Sequence, residues 1–257
     1  MTVVEFVVLL LAGIGGGLTG SIAGLASLMT YPALLATGLP PLTANITNTV
    51  ALVLNSVGSV SASRPELRGQ GRRLVPLGVA AVLGGTTGAV LLLLTPSSAF
   101  ERLVPILIAA ASAAILVQRP PRELAAEGAR EHARHPDRDQ RWLPAAVFGI
   151  AIYGGYFGAA AGVLMLATFL LATGEGVPRS NALKNVVLGI ANGVAAIGYI
   201  VFSSVAWASA LPLAIGLFIG GSLGPRIVRR VPQTALRRVI AAAGLGLAVV
   251  LGVKAYG

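Results

Sequence analysis

Long apolar runs constrain this chain more than any other feature. Residues 3–18, 74–94, 103–117 and 239–253 are nearly free of charged side chains. An α-helix rises about 1.5 Å per residue, so about 20 apolar residues cross the roughly 30 Å hydrocarbon core of a bilayer. A membrane β-barrel alternates polar and apolar residues with a period of two, and these runs do not. The runs therefore predict an all-α, polytopic membrane protein.

Composition excludes the other broad classes. Of the 257 residues, 55% are hydrophobic and 11% are charged, whereas a soluble domain carries about a quarter charged residues. The net charge of +10 lies in short connectors, as is typical of cytoplasmic loops, so no nucleic-acid partner is expected. The chain has no cysteine, and His132 and His135 lie together in a polar linker. Neither a metal site nor a cofactor is therefore expected.

The chain contains an internal duplication. A constant offset of 136 residues aligns segment 34–38 with segment 170–174, both LLATG, and aligns Asn45 with Asn181. A five-residue identity with an asparagine in register beyond it predicts two homologous repeats. The expected organisation is a first transmembrane repeat over 1–118, a charged cytoplasmic linker over 119–141 and a second transmembrane repeat over 142–257.

Each repeat divides into about five apolar segments. The first segment is rich in glycine and the second is short for a full span, so both are expected to be broken or re-entrant. The expected segments are 3–20, 22–38, 43–63, 73–95 and 99–118 in the first repeat, and 142–158, 160–174, 179–204, 206–223 and 234–255 in the second.

Arginines in the loops predict the topology. Loops 64–73 and 224–238 and the linker 119–141 carry arginine clusters, whereas the equivalent loops 203–206 and 95–99 carry no charge. The positive-inside rule places the three arginine-rich segments in the cytoplasm. Equivalent loops then face opposite sides of the membrane, which predicts two repeats of inverted topology with both termini outside.

A polar stripe marks the candidate binding site. Broken segments near the bilayer midplane direct the N–H groups and positive dipole ends of half-helices at a bound anion. Polar residues recur at spacings of three, four and seven near the start of each third segment, where they share a helix face. Such a stripe either forms hydrogen bonds between helices or lines a substrate cavity. The candidate substrate-binding residues are Asn45, Asn48, Thr49, Asn181, Lys184, Asn185 and Asn192, with Tyr153 beside the second glycine cluster.

Lys184 breaks the symmetry of the two repeats, because the offset places it opposite Asn48. Its ammonium could extend to the membrane surface, or it could neutralise an anionic substrate. Arg179 lies nearer the start of the segment and is better placed for the surface role. The sequence therefore favours an anion-binding role for Lys184.

Two motifs resemble a known family. They are the glycine-rich pattern Gly149-x4-Gly154-Gly155-Tyr156-Phe157-Gly158-x3-Gly162 and, after a short apolar run, Ser180-Asn181-Ala182-x-Lys184. This arrangement resembles the sulfite exporter TauE/SafE family, also called the sulfonate uptake permease family. The resemblance implies a multi-pass transporter in the plasma membrane of a bacterium, with a sulfur-containing anion such as sulfite or sulfoacetate as its substrate.

Three functions remain open from the sequence. The leading hypothesis is a secondary transporter for a small anion, which rests on the inverted repeats, the broken glycine-rich segments, the paired asparagines and the family resemblance. No GxxxxGK[ST] motif for a nucleotide is present, so an ion gradient or the substrate's own gradient is expected to drive transport. An anion channel would need only the polar stripe. An intramembrane enzyme acting on lipid pyrophosphates would need clustered carboxylates, which this sequence does not place together. The expected partners are the anion and the lipid bilayer, and a homodimer is left open.

Overall fold

The computed structural model describes residues 1–134, 141–227 and 233–256, and all regular structure in these ranges is helical. The predicted all-α class is confirmed. His135 and part of the loop 224–238 lie outside the described residues. The helices of the first repeat and of the linker are α1 (Val3–Ala23), α2 (Ala26–Ala36), α3 (Pro41–Ala62), α4 (Arg64–Leu67), α5 (Gly71–Leu94), α6 (Ser97–Val117) and α7 (Pro121–Arg134).

The second repeat follows the same plan. Its α10 and α11 begin 136 residues after α3 and α5, at 177 against 41 and at 207 against 71. The last helix begins at 233, which is 136 residues after α6 begins at 97. The helices of the second repeat are α8 (Trp142–Tyr156), α9 (Ala161–Thr173), α10 (Val177–Phe202), α11 (Trp207–Ile227) and α12 (Gln233–Tyr256).

Helix length separates spanning helices from broken ones. In the described part of the chain, α1, α5, α6, α10 and most of α11 are long and apolar enough to cross a membrane. The helices α2, α8 and α9 have 11, 15 and 13 residues, fewer than the roughly 20 that a full span requires. The short helices lie where broken segments were expected, and the chain is a multi-pass membrane protein.

The chain breaks between the first and second segments of each repeat. α1 runs without interruption through its glycines and ends at Gly24, which has a left-handed φ of 77°. In the second repeat the break covers residues 157–160, where Gly158 has a φ of 77° and Ala160 a φ of 64°. The glycines inside α1 therefore do not release the backbone from the helix.

Those glycines bring helices of different repeats together. A Cβ atom on Gly13 would lie 2.4 Å from the carbonyl oxygen of Leu213, and one on Gly17 would lie 2.5 Å from that of Leu217. α1 and α11 therefore touch backbone to backbone, as small residues four positions apart permit.

The second repeat reproduces this packing with the partners exchanged, because α8 packs against α5 of the first repeat. A Cβ atom on Gly88 would lie 2.1 Å from the carbonyl oxygen of Ile152, and one on Gly155 would lie 2.5 Å from that of Gly85. The first helix of each repeat is therefore held by a helix of the other repeat, and the two repeats interlock.

Contacts at both ends fix the relative direction of α3 and α10. Near the end of α3, the Glu175 carboxylate before α10 accepts from Gln70 Nε2 and Arg73 Nη1, each at 3.0 Å. Near the start of α3, Thr47 Oγ1 accepts from the N–H of Ala206, which follows α10, at 3.1 Å. These equivalent helices therefore run in opposite directions.

The linker helix α7 lies against the second repeat. Leu124 packs on Leu166 and Leu170 of α9, and a Cβ atom on Gly128 would lie 2.0 Å from the carbonyl oxygen of Leu170. Gln118 Nε2 donates to the carbonyl of Val163 at 3.2 Å. The helical part of the charged linker thus buries one face on α9.

Replacing Gly155 with alanine is expected to destabilise the protein, because the new Cβ would meet the Gly85 carbonyl. Overpacking of this kind costs about 1–3 kcal/mol. Gly149 on the same helix has open space around its Cβ position, so Gly149→Ala is the matched control. Thermal unfolding of the purified protein is expected to give a lower midpoint for Gly155→Ala alone. Equal midpoints would show that α5 and α8 do not depend on this close approach.

Candidate functional site

The breaks of the two repeats meet inside the protein. A Cβ atom on Gly24 would lie 2.2 Å from the carbonyl carbon of Gly162, and one on Gly162 would lie 2.5 Å from the Gly24 Cα. The two backbones therefore touch at a point where only glycine fits. Gly24 also has the left-handed conformation that side chains disfavour.

Two helix N-termini begin at this contact. The residues that precede α2 and α9, Leu25 and Ala160, form no side-chain capping bond. The first turn of α2 thus retains N–H groups without an intrahelical acceptor, at the positive end of the helix dipole. In α9, the N–H groups of Ala161 and Val163 donate to the carbonyls of Gly158 and Ala160, which leaves the N–H of Gly162 without an acceptor among the described residues. Ala26 and Ser27 of α2 and Gly162 of α9 line a common cavity. Uncapped N-termini of this kind favour a bound anion.

Helices α3 and α10 form the polar walls of this central cavity. The cavity offers about 40 Å³ to the centres of water molecules, and one water needs about 10–15 Å³, so it holds about three waters or a small ion. The wall residues pair through the offset of 136. The pairs are Thr49 with Asn185, Leu52 with Leu188, and Ser56 with Asn192.

Lys184 brings a basic side chain to the central cavity. Its side chain is 1% exposed, and Nζ donates to the carbonyl oxygens of Gly20 at 2.8 Å and Ser21 at 3.4 Å. Among the described residues, no carboxylate oxygen lies within 4.0 Å of Nζ. Nζ therefore lies inside the protein rather than at the membrane surface, without an acidic partner in the part of the chain that the structure describes.

Three other predicted residues also line the central cavity. Asn185 is buried, and its Nδ2 donor has no hydrogen-bond partner within the described protein. Thr49 Oγ1 donates to the carbonyl of Asn45 at 3.0 Å, and Asn192 lies further along the wall. Lys184, Asn185, Thr49 and Asn192 are thus the predicted residues that the structure brings together.

Asn45 and Asn181 lie behind the cavity wall and satisfy the ends of the broken helices. Asn45 Nδ2 donates to the carbonyl of Tyr156, the last residue of α8, at 2.9 Å. Asn181 Nδ2 donates to the carbonyl of Ser21, in the last turn of α1, at 2.6 Å. Their positions are equivalent, as the duplication predicted, but their contacts fit the alternative of hydrogen bonding between helices.

Asn48 and Tyr153 also hold the breaks instead of lining the cavity. Asn48 Oδ1 accepts from Thr30 Oγ1 at 2.5 Å, and its Nδ2 donates to Ser27 Oγ at 3.2 Å. Tyr153 Oη donates to the carbonyl of Ala159 at 2.6 Å. These bonds attach α3 to α2, which follows the first break, and attach α8 to the second break itself.

Sequence reasoning missed Ser27, Ser56 and Phe157 as lining residues. The offset of 136 could have found Ser56, since it is the counterpart of the predicted Asn192. No spacing rule points to Ser27 or Phe157, because both lie at the breaks, just after the ends of α1 and α8. Their positions depend on where these two helices end.

A model of the sulfite exporter TauE/SafE family matches residues 9–251. The chain belongs to this family. The probable membrane transporter protein YfcA of Escherichia coli K12 is 27% identical over 235 residues, which cover 87% of this chain and 81% of the relative. The probable membrane transporter protein ORF9 of Sinorhizobium sp is 26% identical over 249 residues, covering 94% of this chain and 90% of the relative.

A third relative, a probable membrane transporter protein of Haemophilus influenzae, is 26% identical over 242 residues, or 91% of this chain and 89% of the relative. No solved structure matches the chain. The family and these names confirm a membrane transporter, and they favour it over the intramembrane enzyme.

Supporting and lining asparagines are expected to respond differently to substitution. Asn181→Leu leaves the Ser21 carbonyl without this donor, which costs about 1–3 kcal/mol, so its unfolding midpoint should fall. Asn192→Leu breaks no hydrogen bond among the described residues, so its midpoint should change little. Thermal unfolding of both purified variants and of the wild type measures this difference. An unchanged unfolding midpoint for Asn181→Leu would show that the Asn181 hydrogen bond does not stabilise the end of α1.

Proposed function

We propose that this protein is a secondary transporter that binds a small anion in the central cavity. The proposed substrates are sulfur oxyanions and organosulfonates, such as sulfite and sulfoacetate. The observation that carries the proposal is the buried Lys184 Nζ, which has no acidic partner within the described ranges and lines the same cavity as two uncapped helix N-termini.

The electrostatics of the site favour an anion over a cation or a neutral solute. Two opposite charges 4 Å apart attract by about 4 kcal/mol at an effective dielectric constant of about 20. Desolvation of both charges offsets part of this gain. Asn185 Nδ2, which has no partner in the described part of the chain, and the N–H groups in the first turn of α2 and at Gly162 of α9 add donors without adding charge. An oxyanion supplies the acceptor oxygens that these donors lack.

The size and the apolar wall of the cavity suit this class of substrate. Room for about three waters accommodates one sulfite or the sulfonate group of a larger molecule. Leu52, Leu188 and Phe157 also line the cavity, and they can pack against the short carbon chain of an organosulfonate.

Alternating access through inverted repeats is the proposed mechanism. The opposite directions of α3 and α10 and the interlocked packing support an inverted topology, in which two arrangements of the repeats expose the cavity to opposite sides. The arginine-rich loops are proposed to be cytoplasmic and both termini external, in the plasma membrane of a bacterium.

Uptake into proteoliposomes tests the proposal. Purified protein is expected to move labelled sulfite with saturable kinetics, and unlabelled sulfite inside the vesicles should accelerate entry by counterflow. Single-channel currents without counterflow would instead indicate an anion channel. Absence of flux for sulfite, sulfoacetate and methanesulfonate under both pH and voltage gradients would refute anion transport.

Neutralising Lys184 is expected to weaken substrate binding. Lys184→Gln removes the charge, so the apparent affinity for sulfite should fall by at least about tenfold, equivalent to about 1.4 kcal/mol. Lys184→Arg keeps the charge but carries a larger, forked group, so it should retain part of the affinity. Arg179→Gln, on the same helix but with an exposed side chain, is the control and should bind normally. Wild-type affinity in Lys184→Gln would show that Lys184 does not take part in anion binding.

The orientation has its own test, because the chain contains no native cysteine. Arg68 and Ser97 are exposed residues of loops proposed to lie on opposite sides. An impermeant thiol reagent added to intact cells should label Ser97→Cys and leave Arg68→Cys unlabelled until the membrane is opened. Labelling in the reverse order would place the arginine-rich loops outside.

A further inference from the structure

The Lys184 Nζ lies at the C-terminal end of a helix, where a positively charged group is stabilised. The carbonyl oxygens of Gly20 and Ser21, which accept from its Nζ, belong to the last turn of α1. This is the negative end of the α1 dipole, where positive charge is favoured. The side chain thus supplies the positive charge that a bound metal ion would otherwise bring to such a site.

Only one repeat carries this charge. Asn48 occupies the equivalent position in the first repeat, and its amide is satisfied by Thr30 and Ser27. An amide cannot gain or lose a proton at physiological pH. Any proton chemistry of the central cavity therefore falls on Lys184.

The number of acceptors matches the neutral amine. A neutral lysine amine has two N–H donors and a lone pair, and the protein offers Nζ two carbonyl acceptors. An ammonium has three N–H donors, so its third has no acceptor among the described residues. Both protonation states keep the two carbonyl bonds. They differ in one N–H group, which a water or a bound anion in the cavity can accept.

No other titratable group among the described residues compensates this charge. α3 and α9 have none, Glu5 lies at the far end of α1, and the hydroxyls of Tyr153 and Tyr156 on α8 are engaged by Ala159 and Thr95. The charges of α4, α5 and α7 lie toward the start of α10, where Arg73 and Arg179 pair with Glu175.

We infer that Lys184 carries one proton with each transported anion, so that the protein couples anion movement to protons and needs no sodium ion. The inference rests on the proposed function. A buried ammonium without a counter-ion is strongly unfavourable, and a bound anion removes much of that cost. By linkage, the proton strengthens anion binding by the same factor as the anion strengthens proton binding.

The proton balance is complete without a further reactant. A proton from water binds the lone pair of Nζ as the anion enters the cavity, which forms one N–H bond. After the anion leaves on the other side, that bond breaks and the proton returns to water. Anion and proton move in the same direction, and a monovalent anion crosses with no net charge.

Methanesulfonate is the probe for the test, because it stays a monovalent anion at neutral pH. Proteoliposomes are held at zero membrane potential with equal potassium and valinomycin. An outside pH one unit lower should drive about tenfold accumulation of labelled methanesulfonate, since one pH unit is a tenfold proton gradient. A sodium gradient at equal pH should drive none. A pH dye inside the vesicles should report acidification during uptake.

Lys184→Arg separates coupling from binding. A guanidinium keeps its proton in proteins, so this variant should show counterflow exchange at reduced affinity and lose the tenfold accumulation. Arg179→Gln is the matched control and should accumulate like the wild type.

The outcomes distinguish the two proposals. Absent counterflow in the wild type would overturn sulfonate transport and this inference together. Normal counterflow without pH-driven accumulation, or accumulation driven by sodium, would overturn the inference alone. Wild-type accumulation by Lys184→Arg would show that Lys184 is not the group that carries the coupled proton. If Lys184→Arg does not fold, the pH-dye signal and the sodium-gradient experiment on the wild type still decide whether transport is coupled to protons.

Discussion

The structure depends on how polar backbone groups are satisfied where helices break inside a membrane. Lipid offers no hydrogen bonds, so each carbonyl and N–H released at a break needs a partner in the protein or in a cavity. The carbonyl side is satisfied by side-chain donors: Asn181 and Lys184 at the end of α1, and Asn45 and Tyr199 at the end of α8. The N–H side has no side-chain caps. This inequality is the physical basis of the proposed binding of an anion, whose oxygens are hydrogen-bond acceptors.

The two kinds of glycine in the chain serve this arrangement in different ways. Gly24 and Gly162 let the breaks touch, which places two helix N-termini at one cavity. Gly13, Gly17 and their counterparts in other helices draw long helices together and hold the frame around the breaks. Side chains at the first pair would separate the N-termini. Side chains at the second set would separate the frame.

Much of the fold was predictable from the sequence. The apolar runs predicted the membrane helices, and the constant offset predicted where α3 and α5 have their counterparts α10 and α11. The sequence could not predict that α1 packs on α11. The offset relates equivalent positions in the two repeats, and helical periodicity identifies a buried face, but neither identifies the helix that covers that face. The linker helix α7 was missed as a packing partner for a similar reason. Its charge favoured solvent, while Leu124 and Gly128 face α9.

The candidate site was predictable as a region more than as a set of contacts. The spacing on α10 identified Lys184 and Asn185 together with Asn181, since all three share a helix face. It could not separate the first two, which line the cavity, from Asn181, which binds the end of α1. That difference depends on where α1 ends, and the end of α1 depends on a single left-handed glycine.

The exchange of partners between the repeats has a consequence for biosynthesis. Gly13 meets Leu213, so the N-terminal helix reaches its partner only after 200 further residues have been made. At about 5–20 residues per second, this takes about 10–40 seconds. During that interval the glycine face of α1 must be covered by lipid, by the insertion machinery or by a temporary neighbour. The ribosome therefore finishes most of this chain before its first helix can pack in its final position.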